Sequence, residues 1–335
     1  LWEFTDNNDA DMGYSYNLPQ INPFTGQATQ IVKMENNQWA VIVGNGYNSS
    51  GGKAVLYVLF MAGGEDGTWT VGTDYIKLVA DSGTGNGLST PTPFDKNGNG
   101  LVDVIYAGDI KGNLWKFDVS SSTPSSWNVA IGGLPLFVSG TTKPIISPPA
   151  VSFHPKKGQL IMFGTGKYLE TADTTNTSTQ SIYGLWDLNT PATITAGMLV
   201  QQVMTDATVR TATQNQVTYS DTIKGWYINL PVSGERITGV PMLEDGILLF
   251  TTIVPSASPC DFGGRGFANA LDFLTGSMLA FPAFDINRNR VLSLDDGLSA
   301  GVEIGFSVGG GTRIRGSADD LLVSSRADGT LVQTT

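Results

Sequence analysis

Asp103-Val104-Ile105-Tyr106-Ala107-Gly108-Asp109-Ile110-Lys111-Gly112-Asn113-Leu114-Trp115-Lys116-Phe117-Asp118 reads as a strand, a tight turn and a second strand. The first run is apolar enough to be buried on both faces, and Ile110-Lys111-Gly112-Asn113 supplies the turn chemistry. Related pairs recur along the chain. Trp39 to Gly44 is followed by Ala54 to Leu59 after the Asn- and Gly-rich stretch 45–52, and Leu160 to Gly164 by Ile182-Tyr183-Gly184-Leu185-Trp186-Asp187. Gly246 to Thr252 is followed by Ala270-Leu271-Asp272, and Leu321 to Ser325 by Thr330-Leu331-Val332. The second strand of a pair often ends in an aromatic residue and Asp.

Repeated units of several antiparallel strands predict propeller blades. The opening Leu1-Trp2-Glu3-Phe4-Thr5-Asp6 resembles Leu114 to Asp118. The chain is therefore expected to start on the last strand of a blade, able to pair with C-terminal strands and close a ring without free sheet edges. Helices are expected to be few; Ala268 to Leu274 has room for a turn or two of helix. The expected fold is all-β, a modified β-propeller with inserted loops, residues 1–335 forming a single domain. A β-sandwich with coincidental spacing is the plainer alternative.

Composition agrees and excludes several functions. The 335 residues hold 41 Gly, 19 Lys plus Arg and 30 Asp plus Glu, for a formal net charge of −11. So acidic a chain neutralises phosphates poorly, which argues against a nucleic-acid partner. One His and one Cys do not build a His/Cys zinc site, and they leave any Cys–His or Ser–His chemistry depending on His154 alone. The longest apolar runs, such as Ala54 to Ala62, fall far short of the ~18–20 residues a membrane span needs. No signal peptide opens the chain, and its abrupt start reads as a fragment of a longer precursor.

The sharpest chemical motif is Asp95-Lys96-Asn97-Gly98-Asn99-Gly100-Leu101-Val102-Asp103. Side-chain oxygens at Asp95, Asn97, Asn99 and Asp103, with the carbonyl of Leu101, follow the spacing of an EF-hand-type calcium loop, and Gly100 stands at its sharp turn. Hard oxygen donors favour Ca²⁺ over a transition metal. The twelfth position is Tyr106, so the usual bidentate carboxylate is missing. A second candidate offers Asp285, Asn287, Asn289, the carbonyl of Val291, Ser293 and Asp296. There Arg290 occupies the position where the turn wants Gly. The alternative for both loops is a polar turn held by Asx hydrogen bonds, without metal.

Other residues read as structural. His154, beside an apolar strand, is expected to be a satisfied structural histidine. Cys260 is a small buried residue or the partner of a cysteine outside this segment. Asp6 to Asp11 reads as a solvated turn, and Gly309-Gly310-Gly311 has neither the Lys nor the helix of a phosphate cradle.

Leu1 to Tyr16, Trp39 to Asn48, Asp95 to Asp118, Phe163 to Leu169, Gln180 to Asp187, Gly225 to Leu230 and Asn269 to Gly276, in that order, resemble the C-terminal β-propeller domain of the PilY/PilC family of type IV pilus tip-associated biogenesis adhesins. The resemblance implies a modified seven-bladed propeller and a calcium loop at Asp95, Asn97, Asn99, Leu101 and Asp103. The family's loop often carries Asp where Asn99 stands here. It also implies a non-enzymatic role in pilus extension and retraction, twitching motility and attachment, at the bacterial surface, pilus tip or outer membrane. Expected partners are pilus components such as minor pilins, the N-terminal region of the same precursor, and a host receptor or glycan.

Two rivals come from other classes. A quinoprotein-like dehydrogenase shares the Gly112 to Asp118 type of blade motif, but the chain is short for it, its repeats are irregular and adjacent cysteines are lacking. A carbohydrate-binding propeller would use Trp69, Trp127 or Trp226 to stack on sugars.

Overall fold

Apolar runs punctuated by Gly- and Asn-bearing turns give an almost entirely β architecture. The computed structural model describes residues 2–21, 28–29, 31–256, 264–305, 312–315, 320–325 and 331–334. It divides into two compact units, residues 1–159 with 188–195, and residues 160–187 with 196–335.

In the first unit the strands are β1 (Gln20–Ile21), β2 (Ala28–Thr29), β3 (Val32–Lys33), β4 (Trp39–Gly44), β5 (Ala54–Phe60), β6 (Tyr75–Asp81), β7 (Thr92–Phe94), β8 (Val104–Gly108), β9 (Asn113–Asp118), β10 (Asn128–Val129), β11 (Phe137–Val138) and β12 (Ala150–Phe153). β1 and β2 pair with each other, and β3-β4-β5-β6 form an antiparallel sheet. Every residue of β5 is buried. Side chains alternate between the two faces of a strand. Leu56, Val58 and Phe60 accordingly join the core shared with Ile42, Ile105 and Phe117, while Val55, Tyr57 and Leu59 pack beneath Trp2, Phe4 and Trp69. Each large side chain so buried contributes about 1.5–3 kcal/mol.

Residues 2–5 are not a strand, contrary to the sequence expectation. Their aromatics instead cap the outer face of β5 and β6. Trp2 meets Trp69 edge-on at 4.9 Å, Phe4 lies 5.2 Å from Tyr57, and the Trp2 indole donates to the Met61 carbonyl at 3.0 Å. Aromatic burial, not ladder pairing, explains that sequence.

The opening motif forms the antiparallel hairpin β8–β9, in register from Val104 opposite Asp118 to Gly108 opposite Leu114. β7 flanks β8, and β10 and β11 share the far edge of β9. The turn is built around Asp109. Its fully buried carboxylate accepts from the Asn113 backbone and side chain, the Trp115 indole and the Asn86 amide, each at 2.8 Å. Gly112 sits at φ +81°, a conformation costly for other residues.

The second unit holds β13 (Gln159–Gly164), β14 (Ser181–Asp187), β15 (Leu199–Val203), β16 (Val209–Arg210), β17 (Gly225–Asn229), β18 (Met242–Glu244), β19 (Ile247–Val254), β20 (Arg265–Asp272), β21 (Gly301–Glu303), β22 (Thr312–Arg315), β23 (Asp320–Ser325) and β24 (Leu331–Thr334). β13, β14, β17 and β15 lie side by side, the last pair parallel. β16-β21-β20-β19-β18 form a second, antiparallel sheet, and β22-β23-β24 a third. The two strands of every repeated pair named above are thus sheet neighbours. The stretch allowed as helix is strand up to Asp272 and turn beyond it, because Ala268 and Ala270 pack in a sheet core with Phe284 and Ile304.

Inside this unit Arg210 and Glu235, both fully buried, pair through two bonds of 2.7 and 2.9 Å. Thr252 also donates to Glu235, and the Phe267 ring lies 3.3 Å from the guanidinium. Helical structure among the described residues is limited to short turns such as Pro124–Ser126, Thr171–Thr175 and Leu294–Asp296. No helix there is long and apolar enough to cross a membrane.

Candidate metal centre

The loop from Asp95 to Asp103 joins β7 to β8 and is closed by its own side chains. Asp95 Oδ1 accepts from the backbone amides of Asn97 at 3.2 Å and Gly98 at 2.7 Å, and its Oδ2 from that of Gly100 at 2.6 Å. Asn97 Oδ1 accepts from Asn99 N at 3.0 Å, and Asn99 Oδ1 from Leu101 N at 2.8 Å. Asp103 closes the circle, accepting from Lys96 N at 2.8 Å and from Asn97 Nδ2 at 2.9 Å. Gly98 and Gly100 have φ of +79° and +84°, which is why the motif spends two glycines here. The loop thus draws together the five expected donor residues.

The second loop repeats the scheme. Asp285 accepts from Asn289 N at 3.2 Å and Arg290 N at 2.7 Å; Asn287 Oδ1 accepts from Asn289 N at 3.0 Å, and Asn289 Oδ1 from Val291 N at 2.7 Å. Asp296 closes it, accepting from Asn287 N at 3.1 Å and Ser293 N at 2.9 Å. These amides hold its carboxyl below the usual carboxylate range. Arg288 and Arg290 occupy the left-handed positions, with φ of +59° and +66°. The sequence departs from glycine at both, yet the backbone keeps the same path, at a cost of about 1 kcal/mol or more per residue.

The structure adds a residue the spacing did not point to. Glu35, in the turn between β3 and β4, accepts from Asn99 Nδ2 at 3.1 Å and reaches the Asp103 carboxyl. Burial, reinforced by this second carboxyl, raises Asp103 above the usual carboxylate range even though the Lys96 amide pulls it down. The only hint in the sequence is negative: the loop lacks an acid at its twelfth position. Among the described residues no three His, Cys, Asp or Glu side chains converge as a metal-binding group. The donors at the first loop are mostly amide and carboxylate oxygens on one tight turn, a set that suits a hard cation and no thiophilic metal.

The remaining candidates separate cleanly. His154 is buried, its Nδ1 accepting from Lys156 N at 3.2 Å, and burial holds its pKa down. Trp127 and Trp226 are core residues, and Trp69 is engaged with Trp2 and Phe4. Asp6 to Asp11 is less solvated than expected: Asp11 is buried, pairing with Lys53 at 3.0 Å and Lys77 at 2.8 Å, and Asp9 pairs with Lys77 at 2.7 Å. Cys260 and Gly309 to Gly311 lie outside the described residues.

A family model for the PilY1 beta-propeller domain matches residues 1–220. The chain belongs to the PilY1 β-propeller family. Type IV pilus biogenesis factor PilY1 of Pseudomonas aeruginosa is 33% identical over 342 residues, covering 87% of this chain and 28% of that protein. A PilY1 homolog of Xylella fastidiosa is 34% identical over 305 residues, covering 82% of this chain and 20% of the homolog. The chain thus spans about a quarter of the length of these PilY1 relatives. The crystal structure of the P. aeruginosa PilY1 C-terminal domain superposes with a TM-score of 0.81 at 30% identity, covering all of this chain and 74% of that one. The all-β fold with few helices is therefore that of the PilY1 C-terminal β-propeller. The first loop falls within the matched residues and the second lies beyond them.

Proposed function

We propose that this chain is a calcium-binding, non-enzymatic domain of a type IV pilus biogenesis factor. Its role is to regulate pilus extension and retraction, and so twitching motility, and to support attachment at the cell surface or pilus tip. Pilus components such as minor pilins are the partners this reading expects. The carrying observation is the Asp95–Asp103 loop, where Asp95, Asn97, Asn99 and Asp103 turn their oxygens inward on a backbone that two left-handed glycines allow. Asp95, Asn97, Asn99, Asp103 and the Leu101 carbonyl would hold calcium, with Glu35 adding negative charge beside Asn99 and Asp103. The Asp285–Asp296 loop, sharing the hydrogen-bond scheme, would be a second and weaker site because two arginines lie within it.

Calcium would supply positive charge to carboxylates that otherwise face one another. Loop conformation, and the position of the β3–β4 turn touching it through Glu35, would then follow calcium concentration. Calorimetric titration tests this directly. Wild type should bind two calcium ions, Asp95→Ala should lose the tighter one, and Asp285→Ala the weaker. Absence of binding at millimolar calcium, or unchanged stoichiometry in Asp95→Ala, overturns the calcium reading. Normal twitching in a strain carrying Asp95→Ala overturns the regulatory one.

A further inference from the structure

Trp39 opens β4 with 55% of its surface exposed, whereas Trp115, Trp127, Trp186 and Trp226 are each at 5% or below. It stands in a groove of about 350 Å³ beside Asn37, Gln38, Met61, Thr73 and Asp74. The floor is rigid. Met34 N donates to Gln38 O at 2.9 Å, Asn37 N to Met34 O at 2.8 Å, and Met61 N to Trp39 O at 2.9 Å. Asp74 is fixed by Thr70 N, which donates to its Oδ2 at 2.7 Å. The side chains of Asn37, Gln38 and Trp39 make no hydrogen bond to the described residues. An exposed indole, two unengaged amides and one carboxylate therefore surround a preformed space the size of a small-ligand pocket.

This chemistry selects its ligand. An indole offers a flat apolar face together with an N–H donor at its edge. Side-chain amides both donate and accept, so they match hydroxyl pairs, and a carboxylate accepts from a third hydroxyl. A pyranose whose hydroxyls are equatorial has C–H-covered faces and a polar rim, the complement of this set. Among the described residues no Lys or Arg lines the groove, and the chain carries a net charge of −11, which disfavours uronic, sialic or phosphorylated sugars.

We propose that Trp39, with Asn37, Gln38 and Asp74, forms a binding subsite for a neutral, gluco-configured unit of a β-linked glycan. Trp39 stacks on the sugar face, and the amides and Asp74 take the equatorial hydroxyls. No side chain of the calcium loops lines the subsite, although the β3–β4 turn that carries Asn37 and Gln38 also carries Glu35, so the probes are titrated both in calcium and in chelator.

The test uses the whole chain and three probes: cellotetraose, chitotetraose and a galacturonate tetramer. Binding is followed by NMR at the indole N–H resonance that disappears in Trp39→Phe. The neutral probes should shift that resonance at millimolar concentration, while the galacturonate tetramer leaves it in place. Calorimetric affinity should fall at least tenfold in Trp39→Ala and about threefold in Gln38→Ala, with partial retention in Trp39→Phe. Both positions are exposed, and unchanged thermal unfolding confirms that the variants fold. A silent Trp39 resonance with both neutral probes, equal binding by Trp39→Ala, or preference for the galacturonate tetramer overturns the proposal.

Discussion

The carboxyl groups of Glu35 and Asp103 meet from two different hairpins, Glu35 from the β3–β4 turn and Asp103 from the end of the β7–β8 loop. Two acids in contact repel when both are ionised, and a cation between them reverses the sign. Glu35→Gln should therefore raise the thermal stability of the calcium-free protein, by up to about 1 kcal/mol. The same change should weaken calcium binding about tenfold, or about 1.4 kcal/mol. Thermal unfolding in chelator and calorimetry in calcium measure the two effects. A variant changed in neither would remove Glu35 from the site.

Arg290 and Gly100 hold equivalent places in the two loops, both with positive φ. Arg290→Gly should relieve strain and stabilise the protein by about 0.5–1 kcal/mol while tightening the second calcium site. Gly100→Ala has open space for its methyl group, so its cost of about 1 kcal/mol should come from backbone conformation alone. Urea unfolding of both variants checks the opposite signs.

Asp109 receives four hydrogen bonds in the β8–β9 turn, at a position with no solvent exposure. Asp109→Ala would leave those donors without their acceptor and should destabilise by about 3 kcal/mol or more. Asp109→Asn should also destabilise, because its amide NH₂ must face a donor on one side or the other. Equilibrium denaturation of the two variants gives the comparison.

Lys77 holds Asp9 and Asp11 together at 2.7 and 2.8 Å. Burial alone would raise both carboxyl pKa values, but Lys77 and its hydrogen bonds outweigh it and leave them depressed. Depressed carboxylates add stability that is present above the unfolded value near pH 4 and is lost as pH falls through their folded values. Lys77→Met should therefore cost about 2 kcal/mol at neutral pH, with the gap to wild type closing below about pH 4. A gap that stays constant in acid, seen in unfolding curves across that range, would contradict this origin.

The hairpins were legible because local apolar runs and turn residues carry the information. Val104 to Asp118 pairs as its own sequence dictates, and the Asx oxygens of Asp95, Asn97 and Asn99 act within two to five residues. Contacts between distant segments left no such trace. Glu35 reaches Asn99 across 64 residues, and nothing in its neighbourhood marks it as part of the loop. Trp2 and Phe4 carry a strand-like pattern but satisfy it by capping a sheet, a choice set by the rings of Tyr57, Tyr75 and Trp69 that they pack against. Arg290 shows the reverse: a residue that argues locally against the turn is overruled by the hydrogen bonds around it. The exposed Trp39 could not be told from the buried Trp115, Trp186 and Trp226, since all four sit in strands.

The Arg210–Glu235 pair has an evolutionary consequence. Replacing either partner alone strands the other charge in a fully buried site, a loss of about 3–5 kcal/mol, whereas an apolar pair of similar size could occupy the same space at little cost. The route between the two solutions runs through an intermediate near the limit of a marginally stable domain. Positions 210 and 235 should therefore change together or not at all as sequences in this lineage diverge.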